Sequence, residues 1–167
     1  MPYTVFMGFL SFIHLKGFAW DGRWAAWHDS RPSSITVQST KRRDDFGADA
    51  PSCVTVTSPQ AVGNAFALCR DRLFVVSALG GLSLIIHDLN GLLHDLNDVD
   101  ADRGASSEVV PLADRVHWEN VDRTFCTVLE SEADKCVVAL VMKSGEICVS
   151  AVDVKSGVLS QSFRIGE

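Results

Sequence analysis

One arrangement of strands and turns occurs twice in this chain, and that repetition constrains the fold more than any other feature. From Lys135 to Ile165 (KCVVALVMKSGEICVSAVDVKSGVLSQSFRI) an apolar run, Cys136 to Met142, leads into the turn Lys143-Ser144-Gly145. An extended piece from Glu146 to Asp153, the turn Lys155-Ser156-Gly157 and a third run from Val158 to Ile165 follow. β-Branched residues suit a pleated surface and glycine punctuates strands, so the pattern predicts a three-stranded antiparallel meander. Arg72 to Leu93 (RLFVVSALGGLSLIIHDLNGLL) has the same layout: an apolar strand, a glycine turn, an apolar strand ending in Asp, a turn closed by Gly, and a further strand. The two copies align Val75 with Val138, Gly81 with Gly145, Asp88 with Asp153 and Gly91 with Gly157, at offsets of 63 to 66 residues. Tight hairpins need positive φ, which glycine adopts at least cost, so each of these glycines is assigned to a turn. Asp88 and Asp153, in matching places before turns, are expected to cap turn amides rather than act as catalytic carboxylates.

The rest of the chain reads as strand after strand. Ala65 to Cys69 and Leu73 to Ala78 are predicted strands around the polar turn Arg70-Asp71-Arg72, and Arg115 to Asn120 and Thr124 to Glu130 alternate as strands do. Nothing has the length and 3.6-residue period of a helix. Upstream the pattern is weaker. Trp20 to Pro32 holds three of the four tryptophans within eight residues, a density expected to fill a core or cover a sheet edge. Pro32 to Pro59 is rich in Ser, Thr, Asp and Pro, with short β-like pieces at Ile35-Thr36-Val37 and Cys53 to Thr57; it is read as a variable insert, with Lys41 to Asp49 a solvent loop. Two regions result: residues 1–63, a degenerate N-terminal segment, and residues 64–167, the repeat region. An apolar content of 47% with 22% charged residues fits strands buried on both faces.

Ala151-Val152-Asp153-Val154-Lys155-Ser156-Gly157 resembles the A-x-D-x-x-T/S-G signature of quinoprotein-type β-propeller blades. Ser77 to Gly91 (SALGGLSLIIHDLNG) is similar to the end of a WD-type blade, with His87-Asp88 in the Trp-Asp place. The quinoprotein pattern carries a docking Trp four residues after the glycine, where this chain has Gln161 and, in the first copy, Asp95. The resemblance covers residues 65 to 165 and implies an all-β fold of antiparallel meanders: two to three blades of a partial β-propeller, a β-sandwich being the alternative. The order of strands is also similar to the luminal propeller of the largest subunit of the endoplasmic-reticulum membrane protein complex. That likeness implies a scaffold in membrane-protein insertion, protein partners, a secretory signal, a downstream anchor, and contact with the membrane only through a complex.

Charge narrows the partners further. Residues 88 to 134 carry three Lys or Arg against twelve Asp or Glu, while the flanking parts are near balance, so the net charge of −6 resides in the middle. Nucleic-acid binding needs clustered positive charge, and the basic run Lys41-Arg42-Arg43 is followed at once by Asp44-Asp45. In Asp95 to Ser107, Asp98, Asp100 and Asp102 stand at alternate positions and invite a calcium reading. Counted from Asp98, however, Arg103 falls where an EF-hand loop has its glycine and Val109 where it has its bidentate Glu. A solvated acidic loop is expected, with these three aspartates as weak metal candidates.

Five cysteines, at 53, 69, 126, 136 and 148, in no paired spacing read as reduced core thiols; a Cys126–Cys136 bridge is the alternative in an oxidising compartment. Thr4 to Leu15 is an apolar run too short for a helical span, read either as a signal-peptide core or as an element of the fold. The expected location is the endoplasmic-reticulum lumen if residues 1–19 act as a signal, and the cytoplasm otherwise. The sequence has no nucleophile elbow, phosphate-binding glycine loop or zinc-protease motif. His87 and His94 flank the first Asp-x-x-Gly turn, but neighbours on a strand point to opposite faces, so His87 and Asp88 are not expected to converge. The chain is therefore read as a non-catalytic module without a cofactor. A piece of a pyrroloquinoline-quinone-type dehydrogenase propeller and a calcium-binding loop protein are the alternatives.

Overall fold

Apolar runs bracketed by turn residues become strands in the computed structural model, which describes residues 17–28, 33–40, 53–91, 107–113, 116–129 and 134–166. They form three antiparallel sheets of four strands, each strand hydrogen-bonded to the next in sequence. The first sheet comprises β1 (Phe18–Trp20), β2 (Trp24–His28), β3 (Ser34–Ser39) and β4 (Cys53–Thr57); the second, β5 (Ala61–Cys69), β6 (Arg72–Ser77), β7 (Leu82–Asp88) and β8 (Ser107–Ala113); the third, β9 (Val121–Leu129), β10 (Lys135–Met142), β11 (Ile147–Asp153) and β12 (Leu159–Ile165). The class is all-β and built of meanders.

The sheets stack face to face with the second in the middle. Leu73, Val75, Phe66 and Leu68 of the second sheet join Trp24, Ala26, Ile35 and Val37 of the first in one core. Their neighbours Phe74, Val76, Leu84 and Ile86, pointing the other way, join Cys136, Val138, Leu140 and Val152 of the third sheet in another. Leu73 to Val76 are each at most 1% exposed, which is why β6 is a continuous apolar run instead of an alternating one. The first strands of the sheets also stack, β5 lying against β1 and β2 on one side and β9 on the other.

The second and third sheets share their register: Arg72 pairs with Asp88 as Lys135 pairs with Asp153. Cys136 and Val138 thus occupy the places of Leu73 and Val75, each pair facing the preceding sheet, and Val137 and Ala139 occupy those of Phe74 and Val76. Both repeats turn where a left-handed residue is needed, at Gly81 (φ +119°) and Gly145 (φ +91°).

Several details differ from the sequence expectations. Strands β1 to β4 form one four-stranded meander, and the 63/64 boundary falls inside β5. The tryptophans there divide, Trp24 being buried at 1% and Trp20 exposed at 64%. Gly91 does not match Gly157: residues 89–91 are helical and Gly91 lacks a positive φ; the strand expected directly after it lies outside the described residues, and the fourth strand of this sheet is β8, which begins sixteen residues downstream of Gly91. That strand was hidden by Pro111, which has no N–H for a ladder and is tolerated on this edge of the sheet. Finally, Trp118–Asn120 forms a single 3-10 turn instead of a strand. Three layers are stacked, one more than in a two-layer sandwich. The apolar run Thr4 to Leu15, the loop Lys41 to Asp49, His94, and Asp98, Asp100 and Asp102 lie outside the described residues.

Candidate functional site

Among the described residues, a Ser–His pair and two turn carboxylates are the first side chains to consider. His87, at the end of β7 on the face toward the first sheet, is 4% exposed, and its Nε2 lies 3.0 Å from Oγ of Ser58, which is fully buried. Burial disfavours the imidazolium and lowers the His87 pKa to about 4. Its Nδ1 is buried without a partner, so no carboxylate orients this Ser–His pair, and a substrate has no path to the serine.

The turn carboxylates behave as caps. Oδ1 of Asp153 accepts from the backbone N–H groups of Lys155 at 3.0 Å and Ser156 at 2.7 Å and from the Ser156 hydroxyl at 2.8 Å. These donors, the Ser156 amide foremost, hold its carboxyl below the usual aspartate value. Asp88 accepts from the Asn90 N–H at 3.1 Å. Gly157 (φ +70°) follows the Asp153 cap in a left-handed backbone that glycine adopts at least cost, and a Cβ there would sit 2.8 Å from the Glu108 carboxylate on β8, whose flexible side chain would have to move aside. His87 is buried and Asp88 exposed, as alternation demands, so the two do not converge. Among the described residues no cluster of His, Cys, Asp or Glu could hold a metal ion.

None of the five cysteines is in a disulfide. Cys126 and Cys136 lie on one face of the β9–β10 pair with sulfurs 3.7 Å apart. The shared hydrogen bond with Cys136 and burial push the Cys126 thiol well above its ordinary value, which keeps it protonated and unreactive at neutral pH.

The turn Arg70-Asp71-Arg72 between β5 and β6 does work that its sequence did not advertise. It reaches both neighbouring sheets. Asp71 accepts from the Arg23 guanidinium and, at 2.7 Å, from Trp24 Nε1 of the first sheet. Arg70 pairs with Asp134 at 2.6 Å and Arg72 donates to the Val154 carbonyl at 2.9 Å, both beside the third sheet. Arg70 and Asp71 sit at φ +48° and +63°, a left-handed pair that favours glycine or asparagine. The three-sided clamp holds them there.

What the molecule offers a partner is surface. An open groove of about 580 Å³ runs along β9, lined by Val62, Trp118, Val121 and the 122–126 segment. A second, of about 200 Å³, lies at one end of the contact between the second and third sheets and is bordered by the Arg164–Glu146 ion pair. A third feature is the outer face of the third sheet, where cross-strand rows Phe125–Ala139–Val149–Phe163 and Val141–Ile147–Ile165 run over four and three strands. Phe125, Leu129, Phe163 and Ile165 are 44–55% exposed on it. Gln161 lies beside Ala151 in this face. Among the described residues no helix is long and apolar enough to cross a membrane. No family model matches the chain, and neither does any curated protein or solved structure.

Proposed function

We propose that this chain is an arc of three β-propeller blades that serves as a non-catalytic scaffold for protein assembly, with membrane-protein insertion at the endoplasmic reticulum as its setting. The observation that carries the reading is the head-to-tail stacking of three sequential four-stranded meanders, the middle one buried on both faces. Radial repetition of such sheets is how propellers are built. The burial of the Ser58–His87 pair and the use of Asp153 as a turn cap favour a scaffold over an enzyme. The blade-like motifs around Asp88 and Asp153 and the likeness in strand order supply the setting.

Isothermal titration with pyrroloquinoline quinone and with calcium is expected to give no saturable heat, and the tagged chain is expected to co-purify with membrane-insertion subunits from endoplasmic-reticulum membranes. Tight uptake of quinone together with calcium would return the chain to the dehydrogenase class. Calcium uptake alone, abolished by changing Asp98, Asp100 and Asp102 to Asn, would make it a calcium-loop protein.

A further inference from the structure

We propose that Cys126 and Cys136 form a redox-sensitive dithiol, in which Cys126 exchanges with a small-molecule disulfide and Cys136 then closes the pair into a bridge between β9 and β10. The inference goes beyond the scaffold reading and does not depend on it.

Strand register brings the two together. Cys126 stands opposite Val138 and Cys136 opposite Val128, so the cysteines lie two places out of step on neighbouring antiparallel strands and share one face. Their sulfurs are 3.7 Å apart, and a disulfide of about 2.05 Å needs them to close by less than about 2 Å.

The two sulfurs differ in access. Cys126 is only partly buried and belongs to the wall of the open groove along β9, where a solute reaches it. Cys136 is 0% exposed, in the core between the second and third sheets, and is met through Cys126. That asymmetry sets the order: Cys126 attacks and Cys136 resolves. Of the other cysteines, Cys53 is exposed on the first sheet, Cys69 is buried on β5, and Cys148 lies opposite Leu140 with the Glu146 carboxylate as its neighbour.

With glutathione disulfide as the oxidant the exchange balances. The Cys126 thiol loses its proton to solvent and its thiolate attacks one glutathione sulfur; the glutathione S–S bond breaks, and one glutathione leaves and takes up a proton. Cys136 then gives up its proton and attacks Sγ of Cys126, and the second glutathione leaves as a thiol. Two protein thiols become one disulfide while one glutathione disulfide becomes two thiols. Closure ties β9 to β10 on the face packed against the second sheet and fixes one wall of the groove.

The test is incubation of the full chain with glutathione disulfide in mildly alkaline buffer, where the Cys126 thiol gives up its proton more readily, followed by alkylation and tryptic mass mapping. Wild type is expected to yield the peptides Thr124–Lys135 and Cys136–Lys143 joined by a disulfide. In Cys136→Ala, glutathione is expected to stay on Cys126, because no sulfur is left to displace it. In Cys126→Ala, Cys136 is expected to remain a thiol. The bridged wild type is expected to unfold at higher urea than the reduced form and to revert with dithiothreitol. Far-UV circular dichroism checks that both variants keep their sheets, and if either does not, the wild-type peptide map decides. An unmodified Cys126, a wild type that keeps glutathione on Cys126, a bridge from either sulfur to Cys69, or glutathione on Cys136 in a folded Cys126→Ala overturns the inference.

Discussion

His87 shows how far one buried side chain can govern the response to pH. Its pKa falls from 6.5 to about 4 because burial penalises the charged ring, and Ser58 offers it only a neutral partner. The unfolded chain then binds a proton that the folded chain refuses, so stability is full above the unfolded value and drains away as pH drops through 6.5 toward 4. This residue alone is expected to cost about 2 kcal/mol between pH 7.5 and pH 5. Urea unfolding at the two pH values, repeated with His87→Gln, checks it: the variant is expected to lose less stability than wild type over that interval, and an identical loss in both would mean that other groups set the acid limit. Asp153 acts in the same direction at lower pH. Its lowered pKa makes its cap effective above the usual aspartate value, and the cap is lost as pH falls through the folded pKa.

At the scale of the element, turns decide how the sheets are joined. The β5–β6 turn keeps two non-glycine residues in left-handed backbone, at a cost of about 1–3 kcal/mol each, because its side chains are held from both sides. Asp71→Ala removes two charge-assisted hydrogen bonds and leaves the Arg23 guanidinium, whose Nε is already buried without a partner, facing no carboxylate. A loss of about 2–3 kcal/mol is expected in chemical denaturation, with Trp24 fluorescence reporting the loosened contact with the first sheet. Arg70→Ala, whose partner pair is largely exposed on the arginine side, is expected to cost less than half as much. Equal costs for the two would show that turn strain, not the Asp71 clamp, sets the energy. The sequence marked this segment as a polar turn, and that much held. Its reach to Arg23, Trp24, Asp134 and Val154 was invisible there, because those residues are 48, 47, 64 and 82 positions from the members of the turn they meet.

The whole molecule is stratified by the stacking of its sheets. β6 and β7 are covered on both sides, whereas all seven residues of β12, an edge strand, are exposed. Local opening costs least where few apolar contacts hold a strand, so amides of β12 are expected to exchange fastest and those of β6 only with global unfolding. Hydrogen exchange followed by mass spectrometry gives the order directly, and β12 protected as well as β6 would contradict the layering. The same stratification separates the two buried faces of the second sheet from the outer faces of the first and third.

Period and punctuation were enough to determine the class, the hairpins of the second and third sheets, and the equivalence of Asp88 with Asp153, because strand alternation and left-handed turn glycines are local properties that residue type expresses directly. The first sheet was legible only as fragments at Ile35 to Val37 and Cys53 to Thr57. Its polar Thr and Ser alternate with the few buried residues, and its outer face carries no continuous apolar signal. β8 was concealed by Pro111, and residues 89–91 imitated a turn through an Asp-x-x-Gly pattern that the chain uses for a helical one. Which face of each strand meets which sheet is not a local property. Leu73 and Phe74 are both apolar and adjacent, yet one belongs to the first interface and the other to the second. Only the stacking of the sheets assigns them, and the same stacking leaves the outer face of the third sheet uncovered.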